Sequence, residues 1–189
     1  AVHPEPLECR DSSGDTPFLS LIRAIALDAN AQSGSFNAER AAAVLRILIE
    51  SGANINARSG SSESSALHIL ASCKPDPSLA LDVARLLISR GVDVNAAYAS
   101  GTTPLHIAAS AGCRAMIAAL LEGKANVLAT DLSGMMPLHV AARSDAVESI
   151  AMLAPCMPDG ANCRSGADGR TALHLAAECK CSDAVHHLL

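Results

Sequence analysis

Apolar residues along this chain recur as short stripes set three and four positions apart, broken by glycine and by small polar runs. The clearest case is Leu105, Ala108 and Ala109, followed by Gly112 and then by Ile117, Leu120 and Leu121. Spacing of i, i+3, i+4 puts one narrow apolar face on a helix. The pattern therefore predicts two short amphipathic helices joined by a tight turn. Their ends are marked as well. Thr103 supplies a capping hydroxyl, and Pro104 sits at the first helical position, where its missing N–H costs nothing. Gly112 suits the left-handed residue that ends a helix, and Gly52 and Gly91 stand where two further helices should stop.

The pattern returns at intervals. Thr103-Pro104-Leu105-His106 reappears as Ser65-Ala66-Leu67-His68, Met136-Pro137-Leu138-His139 and Thr171-Ala172-Leu173-His174. Successive histidines lie 38, 33 and 35 residues apart, and a weaker copy, Thr16-Pro17-Phe18-Leu19, ends 49 residues before His68. A second motif follows each copy: Leu48 to Ala57, Leu87 to Ala96 and Leu120 to Ala129, with a remnant in Gly160-Ala161-Asn162-Cys163. A fixed period of this length is the mark of a repeat architecture.

These motifs and their spacing resemble the ankyrin repeat, over about residues 15–189. The resemblance implies an all-α solenoid of stacked antiparallel helix pairs with short β-hairpin fingers. Residues 1–14, polar and proline-containing, are expected to be a poorly ordered N-terminal segment. The repeats fall at about 15–58, 59–96, 97–129, 130–163 and 164–189, the last truncated. Repeat 1 carries extra residues within Ala26 to Arg40, read as a loop over Asp28 to Phe36, with Asn37 capping a helix over 38–50. Repeat 2 carries an insertion around Lys74 to Ser78. In repeat 4, Pro155 and Pro158 must cut the second helix short. Insertions of this kind map to surface loops, which cost little stability and often carry recognition.

Composition narrows the picture. Half of the residues are hydrophobic, yet only 2% are aromatic, with no Trp and one Tyr. A core of small and medium aliphatics suits thin, closely stacked layers. The formal charge of −5 opposes nucleic-acid binding, which draws its affinity from basic contacts to phosphates. Seven cysteines without regular spacing make a poor disulfide framework, so reduced thiols in the cytosol or nucleus are expected. No secretory leader is visible at the N-terminus, and no run of 18 apolar residues occurs. The chain lacks an initial Met and stops at Leu189 inside a helical pattern; it reads as a monomeric piece of a longer protein.

Candidate chemistry is thin. His68, His106, His139 and His174 each stand near a helix start. Neighbouring copies are a full repeat apart, too far to share an ion with bonds near 2 Å. The resemblance implies instead that they join a hydrogen-bond network tying adjacent repeats. Cys179, Cys181, His186 and His187 have ligand types suited to zinc, but their spacing matches no common finger. There is no Gly-x-Ser-x-Gly, no His-Glu-x-x-His and no phosphate-binding glycine loop. No enzyme activity, metal or cofactor is expected. For Asn56 and Asn95, the resemblance implies side-chain bridges between turns, and also possible substrates for an asparaginyl hydroxylase.

The resemblance also implies a non-catalytic scaffold or adaptor that binds a protein or peptide on its finger tips and concave face. On this chain those positions include Tyr98, Ser100 and Thr102, then Leu132, Ser133 and Met135, then Asp168 and Arg170. Arg58 and Ser59 lie near an earlier finger. On the first helices the positions are Ser72, Ser110, Arg143, Ser144 and Glu178. Tyr98, Leu132, Met135 and Arg143 stand out as a lone aromatic, two exposed apolar groups and a long donor. Tyr and Arg are frequent hot-spot residues. The alternatives are an internal regulatory or spacer segment of a larger enzyme, channel or ubiquitin ligase, or an oligonucleotide sensor. The scarcity of stacking rings counts against the sensor.

Overall fold

The computed structural model describes residues 5–31, 38–60, 63–73, 78–166 and 168–189. Its contacts divide the chain into two compact units, 1–93 and 94–189.

The first unit opens with α1 (Glu5–Glu8), then α2 (Pro17–Ala31), α3 (Ala38–Glu50), α4 (Ala66–Ala71) and α5 (Ser78–Ser89). α2 packs against α3, α4 and α5. Phe18, Leu19, Ile22 and Ile25 on α2 are fully buried, as are Leu45, Leu67, Leu70 and Leu87. Residues 5–14, expected to lack order, form α1 and a tight turn in which the Asp11 carboxylate accepts the N–H groups of Ser13 (2.8 Å) and Asp15 (3.0 Å). Such Asx turns are what a short acidic side chain offers the backbone. The loop expected to begin at Asp28 does not begin there: α2 runs on to Ala31, since Asp28, Ala29 and Asn30 contain no breaker strong enough to stop it. The remainder of that loop, Asn37, and most of the repeat 2 insertion lie outside the described residues.

In the second unit, three helix pairs follow in order. They are α6 (Pro104–Ala111) with α7 (Arg114–Glu122), α8 (Pro137–Arg143) with α9 (Val147–Leu153), and α10 (Ala172–Glu178) with α11 (Ser182–Leu188). First helices pack on first helices and second on second: α8 lies against α6 and α10, and α9 against α7 and α11. Every residue of the two predicted stripes is buried except Leu121, which is half-buried. Leu105, Ala108 and Ala109, then Leu138, Ala141 and Ala142, then Ala172, Leu175 and Ala176 face inward on successive first helices. Alanine at the contact points lets the helices approach closely, which large side chains would prevent. As the prolines require, α9 stops at Leu153 and gives way to short 3-10 turns over Ala154–Cys156 and Gly160–Asn162.

One conformational position repeats through both units. Each second helix with its full motif ends on a left-handed residue, Gly52 (φ 90°), Gly91 (φ 81°) and Lys124 (φ 64°). In each case the following N–H returns to the carbonyl five residues back: Ala53 to Leu48, Val92 to Leu87 and Ala125 to Leu120. The first helices of the second unit do the same at Gly112 (φ 71°), Asp145 (φ 55°) and Lys180 (φ 60°). Sequence reading anticipates the three glycines. It does not anticipate Lys124, Asp145 or Lys180, because the turn is fixed by hydrogen bonding and not by residue type.

The fingers are hydrogen-bonded turns. Among the described residues the only ladder-like pair is an antiparallel bridge between Arg164 and Thr171. No helix among them is long and apolar enough to cross a membrane.

Candidate interaction surface

Three fingers project from the second unit, over residues 98–102, 131–135 and 165–170. Each closes on a backbone hydrogen bond across its base: Tyr98 N–H to Thr102 O (3.0 Å), Asp131 N–H to Met135 O (3.0 Å) and Ser165 N–H to Arg170 O (2.7 Å). Each is joined to the next by one more, Leu132 N–H to Ser100 O (2.8 Å) and Gly166 N–H to Gly134 O (2.9 Å). Gly101 allows the first of these approaches. Its φ is +78°, and a Cβ there would stand 2.9 Å from the Asp131 Cα and 3.1 Å from the Thr130 oxygen. The Asp131 carboxylate tightens the middle finger by accepting Ser133 N–H (2.8 Å) and Met135 N–H (2.9 Å).

The repeated histidines hold the fingers to the helices. At each helix start, Nδ1 lies within hydrogen-bonding distance of the backbone N–H three residues earlier, at 3.3 Å for Ser65–His68 and 3.2 Å for Thr103–His106. The same contact is 3.2 Å for Met136–His139 and 3.3 Å for Thr171–His174. An amide can only donate, so Nδ1 is the acceptor and the ring proton sits on Nε2. The neighbouring hydroxyls of Ser65, Thr103 and Thr171 then donate to the same Nδ1 at 2.7, 2.8 and 2.8 Å. His106 Nε2 donates to Met135 O (3.0 Å) and His139 Nε2 to Cys163 O (3.0 Å), so each ring reaches forward into the next repeat. Burial holds both imidazoles below their ordinary range, against the opposing pull of these carbonyls and of Asp131.

A finger-to-helix pair eight residues apart occurs in each unit. In repeat 1, Arg23 Nε donates to the buried carboxylate of Asp15 at 2.7 Å, and this holds the Asp15 carboxyl below the usual range. In repeat 5, Arg170 Nη1 donates to Glu178 at 2.6 Å, and Asp168 lies 3.6 Å from Arg170 Nε. In repeat 4 the same place holds Met135 and Arg143, whose Nη1 lies 3.5 Å from the thioether sulfur.

The structure brings several of the expected contact residues together. Met135 meets Arg143; Asp168, Arg170 and Glu178 form one ion-paired group; Ser110 and Ser144 share a hydroxyl–hydroxyl contact of 2.9 Å across α6 and α8. Ser100 and Thr102 pair through their hydroxyls at 3.0 Å. Leu132 projects from its finger at 82% exposure. Tyr98 is half-buried in the turn it closes. Ser59 corrects the sequence reading: it is buried, 2% exposed, and contributes to holding Asp15 charged. Arg58 gives its carbonyl to Arg10 (2.7 Å), and Ser72 turns its hydroxyl back to Ile69 O (2.7 Å). Asp131, which shapes the middle finger, escaped the sequence reading; its signal is the Asp-x-x-Gly spacing shared with Asp11-Ser12-Ser13-Gly14.

The Cys179–His187 region does not converge. Cys181 is buried, its thiol lies 3.5 Å from Arg143 O, and burial pushes its pKa up; Cys179, His186 and His187 are exposed. Among the described residues no three His, Cys, Asp or Glu are grouped to hold a metal ion. Asn56 Oδ1 accepts Asp93 N–H (2.8 Å) and Asn95 Oδ1 accepts Asn126 N–H (2.8 Å), each bridging successive turns within its own unit.

Stacked helix pairs, capping histidines and projecting turns define a repeat protein, and comparison with known proteins places it. A family model for ankyrin repeats matches residues 34–131 and 123–189, and the chain belongs to the ankyrin-repeat family. It is also 44% identical over 64 residues to FPV233 of fowlpox virus (strain NVSL), described as an ankyrin repeat protein. That match covers 33% of this chain and 12% of the relative's length. Ankyrin repeats are generally protein–protein interaction modules and are typically not catalysts.

Proposed function

We propose that this chain is a protein- or peptide-binding module, and that its second unit receives the partner on the finger tips and the adjoining ends of α6, α8 and α10. The observation that carries the reading is the way the fingers are fixed. Each backbone turn is closed on itself, bonded to its neighbour, and, at Met135 and Cys163, held by a buried histidine. A surface ordered in advance pays little entropy on binding. Leu132, Met135 and Arg143 then offer an apolar tip and a long cationic donor on that rigid base, with Tyr98 beside the preceding turn. The acidic balance of the chain turns phosphate backbones away.

Replacing Tyr98, Leu132, Met135 and Arg143 together by Ala is the test. Binding anchors of this kind each contribute about 2 kcal/mol, so the variant should lose the partners that the unaltered chain retains in quantitative affinity purification. Its helical circular dichroism should stay within a few per cent, since none of the four belongs to the buried stripes. An identical set of retained proteins would remove this face from consideration.

A further inference from the structure

We infer that Arg143, seated on Met135, is a receptor for a peptide carboxylate, and that the partner presents an Asp or Glu side chain beside an apolar residue that packs on Leu132. This rests on the binding reading above and adds the chemistry of the partner.

A finger residue and a helix residue eight positions apart meet in repeats 1, 4 and 5. In repeats 1 and 5 the finger residue and the helix residue carry opposite charges and meet at 2.7 and 2.6 Å. In repeat 4 the finger residue is Met135, so Arg143 faces a thioether instead of a carboxylate. A thioether is a weak acceptor, and a guanidinium has five N–H donors. Arg143 makes no ion pair among the described residues. It is exposed at the end of α8, with its Nη1 3.5 Å from the thioether sulfur.

The backbone that carries this sulfur is held in place. Met135 gives its N–H to the Asp131 carboxylate at 2.9 Å, and its carbonyl accepts His106 Nε2 and Asp131 N–H, both at 3.0 Å. A carboxylate arriving here meets a fork suited to bidentate hydrogen bonding, beside a backbone turn that is already ordered. On the same finger Leu132 stands 82% exposed, ready to cover an apolar neighbour. On the helix side, the paired hydroxyls of Ser144 and Ser110 can serve a peptide backbone. Charge favours a carboxylate over a phosphate. Residues 94–189 carry eight acidic and six basic side chains, and Arg170 is already engaged by Glu178. One unpaired guanidinium can hold a single negative charge in such surroundings, whereas a dianion meets net repulsion.

The whole chain, immobilised, should be panned against a display library of random peptides. The peptides enriched are expected to carry Asp or Glu next to an aliphatic residue. Arg143→Gln should weaken those peptides about tenfold, and Arg143→Glu should shift the preference to Lys or Arg. Met135→Glu puts a carboxylate where repeat 1 has Asp15; it should engage Arg143 internally, weaken the acidic peptides to the same degree and leave the unfolding midpoint no lower. Peptides that lack an acid, or that bind Arg143→Gln as well as the unaltered chain, would overturn the inference while leaving the binding function standing. No enrichment at all would overturn both. Tighter binding when phosphoserine replaces the selected acid would overturn the assignment to a carboxylate.

Discussion

Two single residues sit in places their chemistry does not suit, and each gives a signed prediction. Lys124 occupies the left-handed position that glycine fills at Gly52 and Gly91, with φ of 64°. A side chain there crowds the backbone at a cost of about 1–2 kcal/mol, partly offset by the freedom a glycine gains when unfolded. Lys124→Gly should therefore stabilise the chain by about 0.5–1 kcal/mol, read as a rise in the urea midpoint; an unchanged or lower midpoint would mean that the lysine conformation carries no strain. Ser149 is fully buried on α9, and its hydroxyl has no hydrogen-bond partner among the described residues. An unsatisfied buried hydroxyl costs about 1–3 kcal/mol, and Ala also suits a helix interior better. Ser149→Ala should raise the melting temperature, by an amount equivalent to about 1 kcal/mol. A lower melting temperature would point to a water bonded to that hydroxyl.

At the scale of elements, the short helices depend on groups outside themselves. α11 has seven residues, too few for a helix to persist in water without tertiary support. Asp145, in the preceding repeat, accepts Ala184 N–H at 2.8 Å and so caps its first turn from a distance. Asp145 also holds the left-handed place after α8, a conformation that Asp and Asn tolerate better than most residues. Asp145→Ala should cost about 1–2 kcal/mol and speed hydrogen exchange at Ala184, while Asp145→Asn should stay near the unaltered chain. Equal effects of the two would show that the cap is immaterial. The same element shows where sequence reading ends. Helix stripes and the positive φ of Gly52, Gly91 and Gly112 were legible because both are local: apolar spacing and a missing Cβ speak for themselves. The cap by Asp145 was not, because its partner lies 39 residues away. Likewise Met135 and Arg143 could be named one by one as exposed candidates. Their contact required the finger to fold back over its own helix, which only the opposite charges of Asp15 and Arg23, and of Arg170 and Glu178, hinted at. Ser59 looked exposed for the complementary reason: as a polar residue beside Arg58 it gives no sign that Asp15 closes over it.

Across the whole molecule, the same repeated histidine that orders the fingers makes the fold sensitive to acid. His106 and His139 are neutral in the folded chain, each with Nδ1 accepting a backbone N–H and Nε2 donating to a carbonyl. A proton on Nδ1 would break the first of these bonds, and burial disfavours the charge. The folded pKa values therefore lie below the unfolded value of about 6.5. Between the two, the unfolded chain binds more protons, so stability rises with pH there and falls as the medium is acidified below about pH 6.5. Asp15 acts in a lower window. Arg23 depresses its folded pKa, so the stability it contributes is present above the unfolded carboxylate value of about 3.9 and is lost as pH falls through the folded one. Two separate declines are thus expected in urea stability measured from pH 7.5 to pH 2.5. The upper should flatten in a His106→Gln, His139→Gln double variant, and the lower should shrink in Asp15→Asn. If the double variant kept the full slope between pH 6.5 and pH 5, the protons would be taken up elsewhere, and the histidines would contribute to the fold only as hydrogen-bonded links whose charge state is immaterial.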